Sequence, residues 1–297
     1  MSETLFQGSG VAIVTPFTQD GVDYNKLEEL IEYQVKNLTD AIIICGTTGE
    51  SSTMADEEHK KAIEFTVQTV NKRIPVIAGT GSNDTRYCIE LSQEAQNLGA
   101  DGLLSVTPYY NKTTQKGLVA HFTAIANSVN IPIILYNVPS RTGVNICPQT
   151  CYELSKVDNI IAIKEASGDV AQAAHIKSMC GNDLDLYSGN DDLIVPLLSL
   201  GGKGVISVAA NVMPKEVHDV CQLYFDGKTK ESCDLFLKML DIINRLFIEV
   251  NPIPIKTAMN LLGFNVGNLR LPLTEMCGEN LEILKNSLTN YGFILKN

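Results

Sequence analysis

Asn159-Ile160-Ile161-Ala162-Ile163-Lys164-Glu165-Ala166-Ser167-Gly168 is an apolar, β-branched run that reads as a buried strand with a lysine near its end and a turn behind it. Side chains on a strand alternate between its two faces. Lys164 therefore shares a face with Ala162 and Ala166, while Ile161, Ile163 and Glu165 take the other. The same phrase of apolar strand, short polar loop and amphipathic helix recurs along the chain. Val11 to Phe17 opens the series, and Ala41 to Cys45 leads into Gly46-Thr47-Thr48-Gly49-Glu50 and a helix from about Asp56 to Val70. Ile74 to Ala78, Asp101 to Val106 and Ile131 to Tyr136 follow in the same manner, and the Lys164 strand is sixth. Leu184 to Gly189 is the weakest by composition; Gly204 to Val208, with a helix from about Pro214 to Phe225, closes the set.

Eight such units at spacings of about 30 residues predict an α/β chain folded as a (β/α)8 TIM barrel. An open doubly wound sheet is the main competitor. Against it, Gly79-Thr80-Gly81 lacks the third glycine of a dinucleotide-binding turn, and no Walker A loop is present. Past Gly227 the period becomes helical for good. Leu235 to Phe247, Ile255 to Leu262 and Leu281 to Tyr291 predict a C-terminal three-helix appendage interrupted at Pro272. Residues 1–227 are thus read as the barrel, and 228–297 as an extension packed on it within the same structural unit.

The composition, 44% apolar and 19% charged over 297 residues, is that of a globular enzyme-sized chain. A net charge of −11 with no Lys/Arg-rich block argues against a nucleic-acid backbone or an anionic membrane as partner. Met1 to Gln7 has no basic region ahead of an apolar stretch, and no run of 18 apolar residues exists, so neither a leader nor a membrane span is expected. The eight cysteines are scattered, with Cys147 and Cys151 the nearest to a metal-ligand spacing and no second pair close by. Reduced thiols in the cytoplasm are the expected state.

In a barrel, the loops that follow the strands share one face, where chemistry sits. The polar residues so placed are Thr47, Thr48, Glu50, Asn83, Thr107, Tyr109, Tyr110, Tyr136, Arg141, Lys164, Ser167 and Asn211, with Gly189 among them. Lys164 by itself admits two readings: a strand-end lysine that snorkels to water, or an amine kept in apolar surroundings, where burial disfavours the ammonium and leaves a nucleophile for a carbonyl. Tyr136, one strand earlier, is either a core residue with a satisfied hydroxyl or, beside such a lysine, the group that passes protons to a carbinolamine. Gly46 to Glu50 is either a capped turn or a backbone cradle with two hydroxyls. Arg141, bracketed by Pro139 and Gly143, is a surface residue or a fork aimed at the mouth that suits a carboxylate. No paired carboxylates suggest a glycosidase, no G-x-S-x-G occurs, and His59, His121, His175 and His218 match no ligand spacing. Amine catalysis on a carbonyl, with a carboxylate recognised nearby, is the chemistry these residues offer.

Taken jointly, Gly46 to Ser51, Ala78 to Asn83, Tyr136 to Gly143, Ile163 to Gly168, Tyr187 to Asp191 and Asn251 to Lys256 resemble the dihydrodipicolinate synthases within the N-acetylneuraminate lyase family of class I aldolase-like barrels, from Gly10 to the last helix. The resemblance implies that Lys164 condenses with pyruvate and that the enamine attacks L-aspartate 4-semialdehyde, on the way to diaminopimelate and lysine. It implies proton relay by Tyr136 and Thr47, completed by Tyr110 from a neighbouring subunit. Thr48 would hold the pyruvate carboxylate, Gly189 and Ile206 would line the site through their backbones, and Arg141 would receive the semialdehyde carboxylate. No cofactor and no metal are implied, and the assembly would be a homotetramer built as a dimer of tight dimers. An effector cleft would use positions such as Ser51, Ser52, His59, Asn83 and Tyr109. There Asp56 and Tyr87 replace a histidine and a glutamate of lysine-inhibited relatives, which removes a partner for the effector's ammonium and counts against feedback by lysine. Sister activities, a sialic-acid lyase or a keto-deoxy sugar acid aldolase, keep the lysine and tyrosine; Arg141 and the Thr47-Thr48 pair separate them. A non-catalytic barrel that binds metabolites or proteins has no need of a reactive amine.

Overall fold

The structure is a computed structural model and describes residues 4–296. Met1 to Glu3, the start of the stretch read above as lacking a leader, and Asn297 lie outside the described residues. Eight strands carry the repeated phrase: β1 (Gly8–Ala12), β2 (Ala41–Ile44), β3 (Val76–Gly79), β4 (Gly102–Val106), β5 (Ile133–Asn137), β6 (Ile160–Glu165), β7 (Asp185–Ser188) and β8 (Gly204–Ser207). Each pairs in parallel with its neighbours, and β1 pairs with both β2 and β8, so the sheet closes into a barrel. The helices are α1 (Tyr24–Lys36), α2 (Asp56–Val70), α3 (Thr85–Asn97), α4 (Gln115–Ala126), α5 (Pro148–Leu154), α6 (Val170–Cys180), α7 (Ile194–Ser199) and α8 (Pro214–Phe225).

Local signals place these helices. Asp23, Asp84, Thr114 and Asp169 accept hydrogen bonds from the first-turn amides of α1, α3, α4 and α6, and Pro148 and Pro214 sit where the missing N–H costs nothing. Ala12, Ala41, Ile43, Ile77, Leu104, Ala162 and Ile206 form an inner layer within the barrel. A larger apolar shell, including Ile42, Ile44, Leu103 and Ile163, lies between strands and helices.

Two expectations change in detail. The first strand is Gly8–Ala12, so it ends before Val14 and Thr15, which belong to the loop. Ile161 joins the inner layer, because the pairing of β5 with β6 shifts between Ile133 and Ile134 and a bulge breaks the strict alternation there. Beyond the bulge the alternation resumes, with Ala162 and Lys164 inside and Ile163 in the outer shell.

The C-terminal extension is α9 (Thr229–Arg245), α10 (Ile253–Leu261) and α11 (Gly278–Tyr291). α9 lies along α8 and α11. Its inward residues Phe236, Met239, Ile242 and Ile243 belong to the same apolar cluster as the barrel shell. Among the described residues no helix is long and apolar enough to cross a membrane.

Candidate active site

Lys164 and Tyr136 are register partners on β6 and β5, at the ends of those strands from which the loops leave. Lys164 Nζ stands 4.4 Å from the Tyr136 ring centroid, and the two residues are 6% and 7% exposed. The residues that follow them, Asn137 and Glu165, point to the outside of the barrel and brace the pair. Asn137 Nδ2 donates to Glu165 Oε2 at 2.9 Å, Gln172 Nε2 donates to the same oxygen at 3.1 Å, and the Ser167 amide donates to Glu165 Oε1 at 2.7 Å. One outward network therefore sets the inward geometry of the lysine and the tyrosine.

A cavity of about 160 Å³ opens at this point, lined by Lys164, Tyr136, Thr47, Thr48, Arg141 and Gly189 among others. The space beside the lysine depends on small residues. A Cβ built on Gly189 would lie 2.5 Å from the Ala166 Cβ and 3.1 Å from Lys164 Cε, so a side chain there would displace the amine. Ile206 is buried in the inner layer on β8 and does not line the cavity. Asp191, fully buried nearby, accepts from Ser207 Oγ at 2.5 Å and from the amides of Val208 and Ala209 at 2.9 and 3.1 Å. Burial raises its pKa, and those hydrogen bonds together with the charge of Lys164 oppose the rise.

Thr48 is buried and Thr47 half-buried. Arg141 sits on a single helical turn, Pro139–Thr142, rather than an open loop, and is exposed at the cavity mouth. Its Nη2 donates to the carbonyl of Asn251 at 3.1 Å. The guanidinium is thus held from one side, by Nη2, among the residues that line the cavity. Tyr110 is 91% exposed with φ of 68° and does not reach Lys164 within its own chain.

Several rim residues serve the scaffold. Asn211 Nδ2 donates to the Ala12 carbonyl at 2.9 Å while its Oδ1 accepts from the Val14 amide, closing the last loop on the first strand. Thr107 Oγ1 bonds Thr142 Oγ1 at 3.0 Å, and Ser167 Oγ accepts from the Asp169 amide. Glu50 is buried in an ion pair with Lys256. A second cavity of about 570 Å³ shares Thr47, Tyr136 and Arg141 with the first and reaches Ser51, Ser52, His59, Tyr87 and Tyr109. His59 Nε2–H donates to the Gly79 carbonyl at 2.9 Å, and burial lowers the pKa of its ring. Tyr87 donates to Asp56 Oδ1 at 2.5 Å; desolvation first, then that bond, pushes its phenol up to about 12. Asn83 lies beside this cavity, its Nδ2 bonded to the Tyr109 carbonyl at 3.1 Å.

Reading strand ends alone missed Asn190 and Asn251, which line the first cavity, and Lys256. Asn190, Asn251 and Lys256 all fall in stretches that carried the family resemblance, which was the available signal.

The chain matches the model of the dihydrodipicolinate synthetase family over residues 5–291. It is 63% identical over 288 residues to a 4-hydroxy-tetrahydrodipicolinate synthase of Clostridium novyi, covering 97% of each chain. It is 60% identical over 291 residues to 4-hydroxy-tetrahydrodipicolinate synthase 1 of Clostridium acetobutylicum, covering 98% of this chain and 99% of the other. The crystal structure of dihydrodipicolinate synthase from Aquifex aeolicus superposes with a TM-score of 0.96 at 48% identity, covering 98% of this chain and all of that one.

Proposed function

The chain belongs to the dihydrodipicolinate synthetase family, and on that premise we infer that it is a lyase condensing pyruvate with L-aspartate 4-semialdehyde in diaminopimelate and lysine biosynthesis. Lys164 is the nucleophile in this reading. Its amine adds to the pyruvate ketone, water leaves, and the resulting imine loses a methyl proton to become an enamine. The enamine carbon attacks the aldehyde; the amino nitrogen of the semialdehyde then closes on the former ketone carbon and releases Lys164 as the free amine.

The observation that carries this reading is the contrast between two buried lysines among the described residues. Lys256 donates to Glu50, to the Thr15 carbonyl and to the Asn268 carbonyl, so its nitrogen is committed. Lys164 faces a cavity beside a tyrosine face, with Ala166 and Gly189 leaving room for a three-carbon acid. Tyr136 and Thr47 carry protons to and from the carbinolamine oxygen. Thr48 receives the pyruvate carboxylate, with backbone groups of Gly189 beside it, and Arg141 receives the carboxylate of the semialdehyde.

Tyr110, exposed in the single chain, completes the relay in the site of a partner across a two-fold axis. The assembly in this reading is a homotetramer made of two tight dimers, and the extension from residue 228 forms one unit with the barrel. Eight free cysteines fit a reducing compartment such as the cytoplasm. Ser51, His59, Asn83 and Tyr109 belong to an effector cleft. Lysine is not expected to inhibit there, since Tyr87 stands where a carboxylate would meet the ammonium and is itself bonded to Asp56.

Pyruvate and borohydride together test the chemistry. One pyruvate-derived mass per chain is expected on the peptide carrying Lys164, along with turnover of both substrates in a coupled assay. A label on another lysine, or none, would sink the mechanism.

A further inference from the structure

The C-terminal extension enters the site through Phe247 and Asn251, and of the two Asn251 brings polar groups. Asn251 lies between α9 and α10, is 6% exposed and lines the cavity that holds Lys164. Its Nδ2 donates to Thr48 Oγ1 at 3.0 Å, and its backbone carbonyl accepts from Arg141 Nη2 at 3.1 Å. Asn251 thus touches both groups that the preceding reading gives to the two substrate carboxylates.

Its own placement is fixed from the opposite side. Two residues further on, α10 begins, and Lys256 on its first turns is bound to Glu50 at 2.8 Å. Glu50 ends the loop that carries Thr47 and Thr48, its amide bonded to the Thr47 carbonyl at 3.1 Å. Thr15 Oγ1 donates to the Gly49 carbonyl of that loop at 2.8 Å, and the Thr15 carbonyl in turn accepts from Lys256. The loop and the start of α10 therefore form one braced unit, with the Asn251 to Thr48 hydrogen bond spanning it.

A threonine hydroxyl has one proton and two lone pairs. When the amide N–H of Asn251 occupies one lone pair, the Thr48 proton is left for another acceptor, and a carboxylate in the cavity is the acceptor this geometry suits. We propose that Asn251 is a positioning residue for the condensation, orienting the Thr48 hydroxyl as a donor to pyruvate. The proposal rests on the reading of Thr48 as the carboxylate-binding group.

The test is a double-mutant cycle read in kinetics. Asn251→Ala should raise the KM for pyruvate by roughly tenfold, the range of one oriented hydrogen bond, with a smaller change in kcat. In a Thr48→Val background the same substitution should raise it less than about twofold, because the hydroxyl it acts through is gone. Asn251→Asp, nearly isosteric, should raise the pyruvate KM at least as much as alanine does, since a carboxylate accepts the Thr48 proton and turns it from the substrate. Borohydride trapping at saturating pyruvate reports in each variant whether the site still assembles; should Asn251→Ala not assemble, Asn251→Asp carries the cycle. Equal effects of Asn251 substitution with and without the Thr48 hydroxyl would overturn the proposal, as would loss of the trapped adduct in both Asn251 variants, which would assign the residue to folding. A Thr48→Val enzyme with unchanged pyruvate KM would also overturn it, and would locate the failure in the reading of Thr48 rather than in Asn251.

Discussion

Replacing Lys256 with methionine tests how the barrel and the extension are joined. Both members of the Lys256 and Glu50 pair are 1% exposed at the side chain. The ammonium makes three contacts, at 2.8 Å to Glu50 Oε1, 3.1 Å to the Thr15 carbonyl and 2.9 Å to the Asn268 carbonyl. Burial holds the Lys256 pKa below its ordinary value against the attraction of Glu50, so the pair is a compromise and not a free gain. Removing the ammonium leaves the Glu50 carboxylate buried with the Arg270 amide, at 3.0 Å from Oε2, as its remaining donor. Breaking a buried pair from one side costs about 3–5 kcal/mol. At roughly 2–3 °C per kcal/mol for a chain of this size, Lys256→Met should lower Tm by about 6–15 °C. Thermal unfolding followed by circular dichroism, at matched protein concentration because association shifts Tm, measures it. The double variant Glu50→Gln with Lys256→Met should lose less than the sum of the single losses, by about 1–3 kcal/mol in urea. A Tm within about 2 °C of the parent for Lys256→Met, or strictly additive losses, would refute the reasoning.

Arg141→Ala should lower turnover in the coupled assay by about two decades while the pyruvate adduct on Lys164 still forms; unchanged turnover would remove the carboxylate role. Mixing an inactive Tyr110→Phe chain with an inactive Lys164→Ala chain under subunit exchange should restore activity, because one site of each mixed dimer has an intact lysine and receives its tyrosine from the partner. Verified exchange with no activity would mean that Tyr110 does not act across the interface. Burial lowers His121 from the ordinary 6.5 to about 4, so the folded chain holds it neutral while the unfolded chain binds a proton below 6.5. Its contribution is complete above pH 6.5 and is lost as pH falls toward 4, about 3 kcal/mol over that interval. His121→Gln should flatten the acid limb of stability measured in urea by a corresponding amount; an unchanged limb would disprove the assignment.

Much of this protein is legible in one dimension because the relevant interactions are local and repeated. Short continuous apolar runs followed by period-3.6 runs announce most strands and helices, and Asp23, Asp84, Thr114 and Asp169 mark helix starts through bonds to amides two or three residues away. Closing the series into a barrel brings every strand-end loop to one face, which is why Lys164, Tyr136, Thr47, Thr48 and Arg141 could be grouped before their distances were known. The bulge that turns Ile161 inward arises from how β6 pairs with β5, and no pattern within β6 encodes its partner's register. Asn251 stands 203 positions from Thr48, and Lys256 stands 206 from Glu50. Such contacts leave no periodic trace, since each is one hydrogen bond or ion pair between segments joined only by the folded core. The residue types at the site follow from the chain, whereas the orientation of a hydroxyl and the burial of a charge follow from which distant segments the barrel closes against each other.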